Sequence, residues 1–178
     1  MSIVAGDKSK LALELELDVD DKYLENTNLF LYLNGVKFGE YHCDYPMFTF
    51  IDNVVEYYQK SKISFSGLFK CSTRLVIEAI EAFNEFDDED ERETGVFDNP
   101  ILKFVPTFEE GFDEIDKCIF RYAGYAFDHC ILVIIPSGEE IKICIRDDDK
   151  DLYEEVISTY EKFYGLCVEL KSQIDKIR

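Results

Sequence analysis

The sequence has few of the features that mark membrane proteins and secreted proteins. It contains no tryptophan, two methionines and four prolines among 178 residues. Its longest apolar run, Cys130 to Ile135, is far too short to cross a bilayer. Only three consecutive apolar residues precede Gly6, and a secretory signal peptide needs a longer apolar stretch. These absences predict a cytoplasmic chain.

The common motifs of enzymes are also missing. The sequence has no GxSxG, phosphate-binding loop, HExxH or GxGxxG pattern. Its two histidines each precede a cysteine, in His42-Cys43 and His129-Cys130, and such residues could form a nucleophile pair or a zinc site. Neighbouring residues on a strand point to opposite faces, so each dipeptide offers one inward group at most. The six cysteines form no CxxC pair, which favours reduced interior thiols. We therefore expect no catalytic residue, metal or cofactor.

Basic residues are scarce relative to acidic ones. The chain contains 19 Lys and Arg residues and 38 Asp and Glu residues, which gives a net charge of −19. A polyanion repels phosphate backbones and anionic membrane surfaces, so neither nucleic acid nor a membrane is an expected partner. Apolar residues make up 47% of the chain, including 15 Phe and 11 Tyr, so a disordered chain is excluded. The length predicts a single domain over residues 1–178.

The negative charge is concentrated in two places. Residues 85–93 read Glu-Phe-Asp-Asp-Glu-Asp-Glu-Arg-Glu, and three aspartates stand at 147–149. The EF-hand spacing is absent, which disfavours calcium binding. Two readings stay open: a solvated loop, or a surface that binds a cationic protein. For the second reading the candidate partner-binding residues are Asp87, Asp88, Glu89, Asp90, Glu91 and Glu93, followed by Asp147, Asp148 and Asp149. Aromatic anchors would stand beside them, with Phe86, Phe97, Tyr122 and Tyr125 as candidates.

The first forty residues predict a three-stranded antiparallel meander. Leucines alternate with Ala12 and acidic residues between Leu11 and Val19, as in a half-buried strand. A second strand spans Leu29 to Leu33. Asn34-Gly35 then predicts a type I′ hairpin turn into Val36–Phe38, because both residues tolerate a positive φ.

Helical spacing replaces this alternation after Pro46. A first helix is predicted over Met47 to Tyr58, and a second uses Leu75, Val76, Ala79, Ile80, Phe83 and Phe86. Ser72 or Thr73 is the expected N-cap of the second helix. The segment Ile63 to Phe69 is predicted as a short strand or a loop. Residues 87–99 are predicted to form an exposed loop.

Strand patterns return in the second half. Cys118 to Tyr122 is one candidate, and Phe127 to Ile135 is predicted as a central strand covered on both faces. A turn at Pro136-Ser137-Gly138 leads into Ile141–Ile145. We expect Asp147 to Asp149 to cap a last helix that begins near Tyr153. The order βββ-αα-βββ-α predicts an α+β fold, an antiparallel sheet of about five to six strands with helices packed on it.

Short motifs in the first quarter of the chain resemble those of a known family. They are Ile3-Val4-Ala5-Gly6-Asp7, Leu11-Ala12-Leu13-Glu14-Leu15, the segment Phe30 to Gly35, and Phe38-Gly39. Their order resembles the immunity protein 42 family of bacterial polymorphic-toxin and contact-dependent inhibition systems. Ala5 is an additional residue relative to that pattern, and Leu11 stands where an aromatic residue is usual.

The resemblance implies a non-enzymatic antidote that binds the toxic C-terminal domain of a cognate effector, often a nuclease. A nuclease is basic because it holds phosphate, so an acidic inhibitor would match it. The family offers no catalytic residues, and Gly6-Asp7 would set the turn at the first strand. The alternatives are a generic acidic interaction or adaptor protein with another basic partner, and a small metal- or thiol-dependent enzyme.

Overall fold

A computed structural model of the chain describes residues 1–17, 27–39, 66–84 and 129–177. Its strands are β1 (Ser2–Asp7), β2 (Leu11–Leu17), β3 (Thr27–Leu33), β4 (Val36–Phe38), β5 (Cys130–Ser137), β6 (Glu140–Asp147) and β7 (Leu152–Thr159). Its helices are α1 (Ser66–Phe69), α2 (Thr73–Asn84) and α3 (Tyr160–Asp175). The helix predicted after Pro46, the strand predicted over Cys118–Tyr122 and the loop predicted at 87–99 lie outside the described residues.

The first sheet is an antiparallel meander in the order β1-β2-β3-β4. The three strands predicted from the sequence are confirmed as β2, β3 and β4, and β1 is a fourth strand that the prediction missed. In the hairpin between β3 and β4, Asn34 has φ +51° and Gly35 has φ +88°. These values confirm the predicted turn with two left-handed residues.

The turn between β1 and β2 depends on Gly6 and Asp7, as predicted. Gly6 has φ +96°, a conformation that side-chain-bearing residues avoid. A Cβ at Gly6 would also lie 2.5 Å from the Leu11 carbonyl oxygen and 3.0 Å from Cδ2 of Leu166 on α3. The Ser9 backbone N–H donates to Oδ1 of Asp7 over 2.9 Å. Glycine at this position therefore lets the last helix approach the first hairpin closely.

The second sheet has the order β5-β6-β7, again antiparallel. Residues Cys130 to Ile135 of β5 are buried on both faces, and Val133 is 0% exposed, which confirms the predicted burial. The middle strand of the three is β6, however, rather than β5. The chain turns at Gly138 and Glu139, because Ser137 still pairs with Glu140.

The predicted start of the last helix is wrong. Residues Leu152 to Thr159 form β7, which pairs with β6 along its full length. The helix α3 begins at Tyr160, and the Thr159 hydroxyl accepts the Lys162 backbone N–H as its N-cap. The three aspartates at 147–149 therefore lie at the turn between β6 and β7 and cap no helix. Pairing with β6 outweighs the helical spacing of the apolar residues, and β-branched side chains suit the strand.

The segment around α1 and α2 was predicted in part. Ser66–Phe69, within the predicted strand or loop at 63–69, is a short helix. The predicted N-cap of α2 is confirmed at Ser72, whose hydroxyl accepts the Leu75 backbone N–H over 3.3 Å. Leu75 itself is 42% exposed, although the helical pattern placed it in the core. Val76 is buried as predicted, and Ile77, which was not part of the predicted pattern, is buried as well.

One cluster of buried apolar residues joins the two sheets and the helices. The helix α3 contacts β1, β2 and β7, and α2 contacts β6 and β7. The buried face of α3 consists of Tyr160, Phe163, Leu166, Cys167, Leu170 and Ile174. The predicted α+β class is confirmed, with the described strands divided between two hydrogen-bonded sheets. Among the described residues, no helix combines the length and the hydropathy that a membrane-spanning segment requires.

Candidate partner-binding surface

The preferred candidate residues fall outside the described part of the chain. Asp87, Asp88, Glu89, Asp90, Glu91 and Glu93 follow the end of α2 at Asn84. The proposed aromatic anchors Phe86, Phe97, Tyr122 and Tyr125 also lie outside it. Their role in binding therefore stays a prediction, and the second set of candidates can be located.

Asp147, Asp148 and Asp149 have three different environments at the turn between β6 and β7. Asp147 is 4% exposed and accepts hydrogen bonds from the backbone N–H and the ammonium group of Lys150. This bond raises the pKa of Lys150. Asp148 accepts a hydrogen bond from Nε of Arg146. Oδ2 of Asp149 lies 3.8 Å from Nδ1 of His129, and the Asp149 side chain is 63% exposed.

The aspartate turn therefore has an inner part and an outer part. The carboxylate of Asp147 forms the inner part, because it is buried and accepts hydrogen bonds from Lys150 within the turn. Asp148 and Asp149 are exposed and carry charge towards solvent. Asp151, with its side chain 79% exposed, extends this negative surface. The ion pairs of Asp148 with Arg146 and of Asp151 with Arg74 are solvent-accessible on at least one side, as is the contact of Asp149 with His129. Such surface contacts contribute little to stability. A cationic partner could exchange them at small cost.

Tyr153 on β7 connects this turn to α2. The guanidinium of Arg74 lies 4.8 Å from the centre of the Tyr153 ring, and that of Arg146 lies 6.0 Å from it. The same Arg74 pairs with Asp151 at 3.8 Å and with Glu78 at 3.5 Å. A cation over an aromatic face is attracted to the ring quadrupole. The N-terminal end of α2 is thus fixed beside the aspartate turn.

A second polar cluster lies where α2 meets the sheet. Lys142 is 3% exposed, and its ammonium group lies 2.9 Å from Oε2 of Glu155 and donates to the Cys71 carbonyl oxygen over 2.6 Å. The Thr73 hydroxyl donates to Glu155 as well. Partial burial of Glu155 opposes ionisation, but the hydrogen bonds from Thr73 and Lys142 outweigh it and lower its pKa. A carboxylate at a helix N-terminus also gains from the helix dipole.

A third polar cluster lies on the first sheet. Glu14 is 5% exposed and accepts hydrogen bonds from Ser2 Oγ, Lys8 Nζ and Tyr32 OH over 2.6, 2.7 and 2.6 Å. Burial disfavours its charged form, but the hydrogen bonds from Lys8, Ser2 and Tyr32 outweigh burial and lower the pKa to about 2. Nζ of Lys37 lies 3.7 Å from Oε2 of Glu14 and 3.5 Å from the centre of the Phe30 ring. Glu14 is thus an ionised internal group.

The thiols of Cys130, Cys144 and Cys167 have the wrong environment for nucleophiles. Burial, with the nearby Asp147 charge, raises the pKa of Cys130 to about 12. Burial likewise raises the pKa of Cys144 to about 11 and that of Cys167 to about 12. As predicted for the His129-Cys130 dipeptide, Cys130 is buried and His129 is exposed. Among residues 1–17, 27–39, 66–84 and 129–177, no three His, Cys, Asp or Glu side chains form a metal-binding group. His42-Cys43 lies outside these ranges.

Sequence reasoning missed the burial of Glu14 and Lys142. Glu14 and Lys142 each occupy the polar position of an alternating strand, which normally indicates a solvent-facing side chain. Here both faces of β2 and β6 are largely covered. A usable signal existed for Glu14, because Lys8, Tyr32 and Lys37 provide donors within the same predicted meander. No comparable signal in the sequence links Lys142 to Glu155.

No protein-family model matches the chain, and no curated protein matches it. The fold is similar to that in the crystal structure of CdiI from Burkholderia dolosa AUO158, with a TM-score of 0.59. The likeness covers 96% of this chain and 99% of that chain, at 9% sequence identity. At this identity the comparison concerns the fold. The resemblance to the immunity protein 42 family stays a prediction.

Proposed function

We propose that this protein is an immunity protein, which binds and neutralises the toxin domain of a contact-dependent inhibition system. The observation that carries the proposal is the similarity to CdiI, an immunity protein of such a system, over 96% of this chain and 99% of the other. The short motifs at the N-terminus point to the same class of protein.

The charge of the chain supports a cationic toxin domain as the partner. A net charge of −19 speeds the association of a basic protein, since complementary charge raises association rates from about 10⁵–10⁶ to as much as 10⁸–10⁹ M⁻¹s⁻¹ at low salt. A toxin that holds nucleic acid needs cationic groups for phosphates. Carboxylates of the immunity protein would occupy those groups through charge-assisted hydrogen bonds. The proposed toxin is accordingly a basic nuclease, met in the cytoplasm.

Inhibition is proposed to be non-enzymatic. The raised pKa values of Cys130, Cys144 and Cys167 keep these three thiols protonated at neutral pH, and a thiol nucleophile needs its thiolate form. The proposed contact residues are Asp87 to Glu93, with Asp147 to Asp149 of the aspartate turn as the second choice. Within that turn, Asp148 and Asp149 would meet the partner, and Asp147 would hold the turn in shape through Lys150.

The test uses the C-terminal domain of the protein encoded immediately upstream of this chain's gene. We expect that domain to stop bacterial growth when expressed alone, and co-expression of this protein to restore growth. Purified together, the two proteins should form a complex whose association slows as salt rises. Val133→Asp, which should not fold, provides the control that fails to protect.

The outcomes separate the proposed function from the alternatives. A domain that remains toxic in the presence of the folded protein would contradict the immunity function. Binding without protection would favour the acidic adaptor. A complex whose association rate is the same at low and high salt would contradict the electrostatic part alone.

A further inference from the structure

The register of the second sheet defines which backbone groups of β7 face outward. Glu140 is opposite Thr159 in the register. Next to this pair, the Tyr160 backbone N–H donates to the Glu139 carbonyl oxygen, with 3.4 Å between nitrogen and oxygen. In an antiparallel ladder this bond marks a non-hydrogen-bonded pair, so the N–H and C=O of Thr159 point away from β6. The alternation repeats every second residue. The backbone groups of Ile157 and Glu155 therefore point outward too.

A contact from the first sheet supports this assignment. Nδ2 of Asn34 donates to the Glu155 carbonyl oxygen over 2.9 Å, from the side opposite β6. The same amide lies 3.2 Å from Oε2 of Glu154. Within the part of the chain that the structure describes, β7 is hydrogen-bonded to β6 alone, and β3 contacts β7 without forming a ladder with it. The Asn34 amide satisfies one acceptor of that edge.

The outer edge of β7 lacks several common safeguards of exposed edges. The register runs from Leu152 to Thr159 without a bulge, and the strand contains neither lysine nor proline. Ile157 is 54% exposed, although it is large and apolar. Exposed regular edges with apolar side chains are templates for strand addition. The outer edge of β7 is therefore suited to hydrogen bonding with an additional strand.

The charges around β7 decide between a second copy of this chain and a basic partner. Glu154 and Glu155 lie on the strand, and Asp151 and Glu161 flank it. Two copies paired edge to edge would bring these carboxylates together, and like charges on paired strands are destabilising. A segment rich in Lys or Arg would match them. The same acids thus oppose self-association and favour a cationic strand.

We propose that the β7 edge from Glu155 to Thr159 receives an extended cationic segment of the toxin domain as an additional antiparallel or parallel strand. This inference rests on the proposed immunity function and specifies its contact. Main-chain hydrogen bonds to Ile157 and Thr159 supply affinity, and the Ile157 side chain packs against an apolar side chain of the segment. A backbone N–H of the toxin replaces the Asn34 amide at the Glu155 carbonyl oxygen.

The test removes one outward N–H without touching the ladder to β6. Ile157→Pro deletes that donor, and proline is tolerated on edge strands when its nitrogen faces solvent. The probe is the C-terminal domain of the upstream-encoded protein, titrated into this protein by calorimetry. We expect Ile157→Pro to weaken binding at least about tenfold. Ile157→Thr keeps the N–H and a β-branched side chain, so we expect it to bind more tightly than the proline variant.

Hydrogen exchange of the unaltered protein gives a second readout that does not depend on the variant folding. We expect the amides of Ile157 and Thr159 to exchange at least about tenfold more slowly when the upstream domain is bound. Binding that leaves both amides unprotected and Ile157→Pro unaffected would overturn the edge proposal, and the immunity function would stand. No binding by the unaltered protein would contradict the immunity function itself.

Discussion

The hydroxyl of Tyr32 lies 2.6 Å from Oε2 of Glu14, and this bond holds a buried carboxylate between two neighbouring strands. Ser2 and Lys8 bind the other oxygen, Oε1. The arrangement explains how a strand with acids on its outer face stays in a largely buried position. A carboxylate costs much less to bury when hydrogen bonds and a cation surround it.

Glu14 should make the protein less stable in acid. Its pKa falls from 4.5 to about 2 on folding, so it stabilises the fold fully above pH 4.5 and loses this contribution as pH falls towards 2. The loss amounts to about 2 to 3 kcal/mol. The measurement is the free energy of unfolding in urea at pH 7 and pH 3.

Glu14→Gln provides the comparison, because it keeps the shape of the side chain and cannot ionise. We expect it to be less stable than the unaltered protein at pH 7 and to lose less stability between pH 7 and pH 3. Equal losses in both proteins would show that other groups control acid unfolding.

The Lys142–Glu155 pair should respond asymmetrically to the loss of either partner. Glu155→Ala leaves the buried Lys142 charge without its carboxylate and should cost about 3 kcal/mol. Lys142→Met removes the buried charge, and the half-exposed Glu155 can bind water instead, so we expect a smaller cost. The double variant should recover most of the loss caused by Glu155→Ala. Chemical unfolding of the four proteins measures these values, and strict additivity would contradict the coupling.

Val133 should tolerate no charge. It is 0% exposed on β5, opposite Cys144, so Val133→Asp buries an unpaired carboxylate and should prevent folding. The matched control is Val168→Asp on α3, where the side chain is 44% exposed and a small effect is expected. Circular dichroism and thermal unfolding compare the two. A native-like Val133→Asp protein would be incompatible with the buried β5.

The acidic residues within 85–93, called here the acidic run, should control the rate of partner association. Replacing Asp87, Asp88, Asp90 and Glu91 with Asn or Gln should slow binding of the upstream-encoded domain and reduce its salt dependence. Stability should stay level or rise, because self-repulsion decreases. Stopped-flow association at several salt concentrations measures the effect.

Glu169→Gln combined with Asp175→Asn on α3 is the control for net charge. We expect a smaller rate change for each charge removed than in the acidic run. Similar changes for each charge would mean that the overall field, rather than the run, steers the partner.

Local rules were sufficient for the hairpin of β3 and β4. Asn34-Gly35 predicts its turn because two left-handed residues are needed there, and the leucines of β2 predict the buried face. The strand β1 was missed because Gly6 ends its short apolar run. Its strand character comes from pairing with β2, a contact that the local pattern does not contain.

The error at β7 has a similar cause. The spacing of a helix face is shared by Tyr153, Val156, Ile157 and Tyr160. Glu154 and Glu155 are adjacent and lie on opposite faces of the strand, so apolar and polar residues do not alternate as they do in a typical half-buried strand. Pairing with β6 decides the outcome. The candidate site was predictable only as a concentration of charge, because the inward bond of Asp147 depends on the geometry of a turn that the sequence did not reveal.

The contact of Leu166 with Gly6 has a consequence for synthesis on the ribosome. The hairpin of β1 and β2 is translated early, but α3, the helix that packs against it, is translated only after β7. The nascent chain therefore carries an uncovered leucine-rich surface until α3 has left the exit tunnel, and apolar surface that is exposed in this way before folding is complete is prone to aggregation.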